Sequence, residues 1–147
     1  MRRSAPLTLL AAVAAAALAV SAPATASGRP LDAELLGANE VGTAGDPDGS
    51  GTAEVRVNPG RGQVCFEISV TGLDPVILGH IHEAPAGANG GVVVDFSLTQ
   101  TDFTDGTASG CVSVDRDLAK EIVKDSDGYY VNIHTTAFPA GALRGQL

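Results

Sequence analysis

Apolar residues recur at every second position in short runs along this chain, and turn-forming residues separate the runs. In "GTAEVRVN", Ala53, Val55 and Val57 alternate with Thr52, Glu54 and Arg56. In "QVCFEISVTGL", Val64, Phe66, Ile68 and Val70 form one set, and Cys65, Glu67 and Ser69 the other. A period of two marks a strand with one buried face. The tight "PGRG" between these runs predicts a hairpin. Similar strand-like runs are "LDAELLG", "VILGHIHEAP", "VVVDFSL", "GCVSV", "GYYVNIHTT" and "GALRGQL". About eight short strands at this spacing predict an all-β fold, an antiparallel β-sandwich or barrel. One segment departs from the period of two. "RDLAKEIVKD" places Leu118, Ile122 and Ala119 on one side and is preceded by Asp115 as an N-cap, which predicts one short helix of one or two turns.

The N-terminus follows a different pattern. "MRR" is basic, "PLTLLAAVAAAALAV" is apolar, and Ala24-Thr25-Ala26 fits the small-x-small rule for cleavage. Residues 1–26 are therefore expected to be a signal peptide, cleaved after Ala26. The apolar run from Leu7 to Val20 is short for a membrane span, which needs roughly 20 residues. The expected mature chain is one domain over residues 27–147, secreted and without a membrane span. Loss of Arg2 and Arg3 with the signal takes the formal net charge from −8 to −10. An acidic surface of this kind argues against nucleic acid and anionic membranes as partners, because both call for positive patches.

Export changes how the two cysteines are read. Cys65 and Cys111 are an even pair, each inside a strand-like run, and an oxidising compartment makes a Cys65–Cys111 disulfide the expectation.

The candidate chemistry lies in the three histidines. His80 and His82 occur in "GHIHEAP", and His134 in "YYVNIHTTAFPAG". In a strand, residues i and i+2 share a face, so His80 and His82 point together and Ile81 points to the core. By the same alternation Tyr130, Asn132 and His134 lie opposite Val131 and Ile133. If the two strands are neighbours, three imidazoles converge. Three neutral nitrogen ligands suit zinc or copper. The competing reading is structural: imidazoles hydrogen-bonded to lock the Gly-rich loop "AGANGG", with Glu83 and Asn132 as candidate partners. Arg144 falls on the outward face of the last strand, where two readings stay open: an ion pair with a carboxylate such as Glu40 or Glu83 that holds the strand, or a role in binding. Other motifs carry less. "DPDGSG" begins like a calcium loop but has Val57 at its twelfth position and no flanking helices, so it reads as a turn. "AGANGG" matches no nucleotide-binding fingerprint, and no Gly-x-Ser-x-Gly occurs. No catalytic residue is assigned.

Four blocks carry a family resemblance: "LLGANEVGTAGDPDGSGTAEV", "GLDPVILGHIH", "GHIHEAPAGANGGVVV" and "YYVNIHTTAFPAGALRGQL". In this order, and over nearly all of residues 27–147, the chain resembles the chordin domain (CHRD) family. Ala142-Leu143 departs from the acidic residue and Ile that often precede the Arg. The resemblance implies a stand-alone exported module, a non-enzymatic extracellular or envelope binding or structural protein without an assignable ligand. The growth-factor ligand of chordin itself is not carried over. The alternative is a zinc- or copper-binding protein using His80, His82 and His134. Its His-x-His strand is similar, remotely, to that of Cu/Zn superoxide dismutase, which needs more histidines than this chain has.

Overall fold

Alternation along the strands decides which residues go inside. In the computed structural model, which describes residues 27–147, the first strand, β1 (Arg29–Leu36), buries Leu31, Ala33 and Leu35 and leaves Asp32 and Glu34 in solvent. β2 (Ser50–Asn58) buries Ala53, Val55 and Val57, and β3 (Gln63–Thr71) buries Val64, Phe66 and Ile68. The expected hairpin joins β2 to β3 in antiparallel register, Asn58 opposite Gln63. Asn58 closes its turn by accepting the Arg61 amide at 3.0 Å. The proposed signal peptide, residues 1–26, lies outside the described residues.

The remaining strands are β4 (Val76–Glu83), β5 (Gly91–Asp95), β6 (Thr107–Ser113), β7 (Tyr129–Thr135) and β8 (Leu143–Gln146). All pairings are antiparallel, in the order β5-β4-β7-β8-β1-β2-β3-β6. The eight strands curl into a nearly closed, barrel-like sheet around one apolar core. The all-β expectation holds. β5 and β6 end the order without pairing with each other. Phe66 of β3 and Phe96, just after β5, bring the two ends together with ring centroids 4.5 Å apart.

The single helix, α1 (Arg116–Lys124), forms where expected and runs slightly longer than two turns. Asp115 caps it by accepting the amides of Asp117 and Leu118. Its Ala119 and Ile122 are buried against the barrel. Leu118 is only partly buried. Cys65 and Cys111 stand directly opposite each other on β3 and β6 and form a disulfide, as expected. Among the described residues no helix is long and apolar enough to cross a membrane.

Candidate metal centre

β7 does not behave like a surface strand. Every one of its residues is buried, on both faces. Its inner side, Val131 and Ile133, belongs to the core. Its outer side carries Tyr130, Asn132 and His134, which two loops cover. One loop runs from Gly37 to Asp46 and the other from Ala84 to Gly90. They are tied to each other, since Asn89 donates to the Val41 carbonyl at 2.8 Å. Asp46, in the segment that resembled a calcium loop, accepts the amides of Asp48 and Gly49 and is an ordinary turn residue.

Pairing of β4 with β7 puts His80 opposite Asn132, His82 opposite Tyr130 and Leu78 opposite His134. The strands are neighbours, and the three imidazoles meet on the outer face. One nitrogen from each of His80, His82 and His134 lies within 4.8 Å of the others. His80 Nδ1 and His134 Nε2 are 3.3 Å apart. That is close to the edge of a tetrahedron around an ion with bonds of about 2.0–2.1 Å, the usual zinc–imidazole length.

Backbone carbonyls set the tautomers of two rings. His82 Nδ1 sits 3.0 Å from the Gly90 carbonyl and His134 Nδ1 sits 3.1 Å from the Pro139 carbonyl. A carbonyl only accepts, so both Nδ1 atoms carry the proton. Nε2 of both rings is thereby left with a free lone pair. For His134 that lone pair meets His80. For His82, Nε2 is buried with no hydrogen-bond partner, alone among the buried side-chain nitrogen and oxygen atoms of the described residues. Leaving such a group unpaired costs about 1–3 kcal/mol. Burial pushes the pKa of His80 down, with Asp95 opposing and His82 adding to the effect. Burial likewise lowers His134, against the Pro139 hydrogen bond and with help from the other two imidazoles. Both shifts favour the neutral ring that a metal ion requires.

A second constellation supports the first. Tyr130 is the middle of a three-layer stack. Its ring lies parallel to His82, centroids 4.8 Å apart and 8° between planes, while the guanidinium carbon of Arg144 is 3.5 Å from the ring centre. Because β7 lies between β4 and β8, the two approach from opposite sides. Arg144 is only 2% exposed. It donates to Asn89 Oδ1 and to the Pro85 and Ala88 carbonyls. The loop that supplies the Gly90 carbonyl is thus folded around Arg144. Gly90 itself allows the close approach: a Cβ there would stand 1.8 Å from the Glu83 carbonyl oxygen.

Several sequence expectations change here. Arg144 forms no ion pair with Glu40 or Glu83. Loop carbonyls and an aromatic face hold its charge, and it acts on Glu40 only through space. Glu83 is exposed, beside Glu121, Lys124, Asp125 and Tyr129, and is no partner of the histidines. Asn132 does not bond the imidazoles either. It donates to Glu40 Oε1 at 2.5 Å and to the Leu143 carbonyl at 3.1 Å. Burial raises the pKa of Glu40, partly offset by Asn132 and Arg144. Sequence reasoning missed Tyr130 as the stacking centre, although alternation had put it on the right side. It also missed Asn89, and Gln146, which donates to the carbonyls of Ala84, Asp127 and Tyr129. Only their occurrence in a Gly-rich loop and in a family block offered any signal.

The family model of the CHRD domain matches residues 31–147. Neither the curated proteins nor the solved structures contain a significant match to the chain.

Proposed function

The chain belongs to the CHRD domain family, and from that premise we propose that it is an exported, single-domain module that binds one transition-metal ion, zinc or copper, through His80 Nδ1, His82 Nε2 and His134 Nε2. The observation that carries this reading is the buried, unpartnered Nε2 of His82, in a ring that packs beside two other imidazoles. A purely structural role accounts for the two Nδ1–carbonyl bonds. It leaves Nε2 of His82 without a partner, and an ion supplies one. The signal-like residues 1–26 and the disulfide support export.

The residues do two things in this reading. The Gly90 and Pro139 carbonyls orient the ligands and make them better donors. The Tyr130–Arg144 stack holds the loop that brings Gly90 into place. The test is elemental analysis and thermal melting of protein made without a His-tag. One equivalent of zinc or copper is expected. Free ion at one-hundredfold the dissociation constant should add about 2.7 kcal/mol of stability. His82→Ala should lose both effects. Substoichiometric metal together with a melting curve unmoved by either ion would reject the proposal.

A further inference from the structure

A cavity of about 430 Å³ lies against the cluster, and its walls include His82, His134, Glu40, Asn132, Tyr130 and Thr43. His80 is not among its lining residues. Three ligands that rise from one sheet face occupy three corners of a tetrahedron, and the fourth corner points away from the sheet. This cavity is lined by two of the three ligands, His82 and His134, and by residues of both covering loops.

Glu40 looks into the same space and is held there. Oε1 accepts from Asn132, and the carboxylate lies against Gly141, where a Cβ would come within 2.6 Å of Oε2. Gly141 has φ +145°, a backbone state that L side chains rarely adopt, so its place beside Glu40 is not easily filled by another residue. Among the described residues no basic side chain forms an ion pair with Glu40 and none donates a hydrogen bond to its Oε2.

We propose that the ion keeps its fourth position open to this cavity, and that a small uncharged ligand binds there with a lone pair on the ion and an N–H or O–H donated to Glu40. The inference rests on the metal-binding reading above. Water satisfies it by default. Alcohols, amines and azoles belong to the same class. Simple anions do not, because they meet the Glu40 carboxylate.

Free imidazole is a suitable probe, because one nitrogen coordinates and the other donates. Azide is the anionic counterpart. Protein loaded with one equivalent of Cu(II) is titrated with each, followed by visible absorption and electron paramagnetic resonance. Imidazole should give a saturable shift with copper retained. Glu40→Gln should weaken imidazole about tenfold, the expected loss for a charge-assisted hydrogen bond, and tighten azide. A residue with only a structural role would move both probes in the same direction. Ala140→Phe, at the exposed rim of the cavity, should leave copper bound and abolish the imidazole shift. Copper bound one to one with a spectrum that imidazole does not change overturns this inference and leaves the metal reading standing, as does a Glu40→Gln variant that shifts both probes alike. If copper does not bind, the metal reading fails and this inference fails with it.

Discussion

The outer face of the barrel differs between its two halves. On the β1-β2-β3-β6 side it is what alternation predicts for a one-sided sheet: Asp32 and Glu34 are exposed, and the Glu54–Arg56 pair and Ser69 are partly so. On the β4-β7-β8 side the outward residues other than the exposed Leu78 are polar too, yet Tyr130, Asn132, His134 and Arg144 are buried. The first half presents polar side chains to water, which costs nothing. The second half withdraws them beneath two loops, which costs free energy unless each finds a partner. Nearly all do. The exception is His82 Nε2, and the contrast between the halves is what makes that atom informative.

The comparison can be broken by substitutions in either half. The largest loss should come from the open half, where β6 is a sheet edge held by β3 and by the disulfide. Cys65→Ala with Cys111→Ala opens a link of sequence separation 46. Chain entropy predicts about 4 kcal/mol lost in urea unfolding. Next comes the covered half. Arg144→Ala removes the stack on Tyr130 and leaves three loop acceptors unmatched, for a loss of about 3 kcal/mol. Its half-exposed counterpart, Arg56→Ala, should change stability by less than about 1 kcal/mol. Equal effects for the two arginines would mean that the covered face is not distinct.

The smallest effect is one of pH. Burial raises the pKa of Tyr129 above its ordinary value of 10.0, and the charges of Glu83, Glu121 and Asp125 add to this. A group with a raised folded pKa contributes fully below its unfolded value and is lost as pH rises. Stability should therefore start to decline as pH rises past about 10 in the wild type. Tyr129→Phe should show a weaker decline over the same window in a pH series of melting curves.

Much of the fold was legible because it depends on local pattern. The alternation in β2 and β3, the tight turn between them and the Asp115 cap each need only neighbouring residues to be read. The same rule placed His80 with His82, and His134 with Tyr130 and Asn132. What alternation could not supply was the pairing of β4 with β7, residues far apart in the chain, on which convergence of the imidazoles depends. It also could not show that loops would bury an outward face. Arg144 illustrates why. A carboxylate partner can be guessed from sequence, but its actual acceptors, the Pro85 and Ala88 carbonyls, are backbone groups that every residue carries. Glu83 illustrates the opposite error: adjacent in sequence to His82, it is turned to the other side by the strand's own alternation.

X-ray absorption at the metal edge, on protein loaded with one equivalent of zinc, tests the central claim most directly. The account predicts three imidazole nitrogens and one further light atom at about 2.0–2.1 Å, and a His82→Ala variant that retains no zinc at such a site. A wild-type spectrum with fewer than three imidazoles, or one that His82→Ala leaves unchanged, would contradict it.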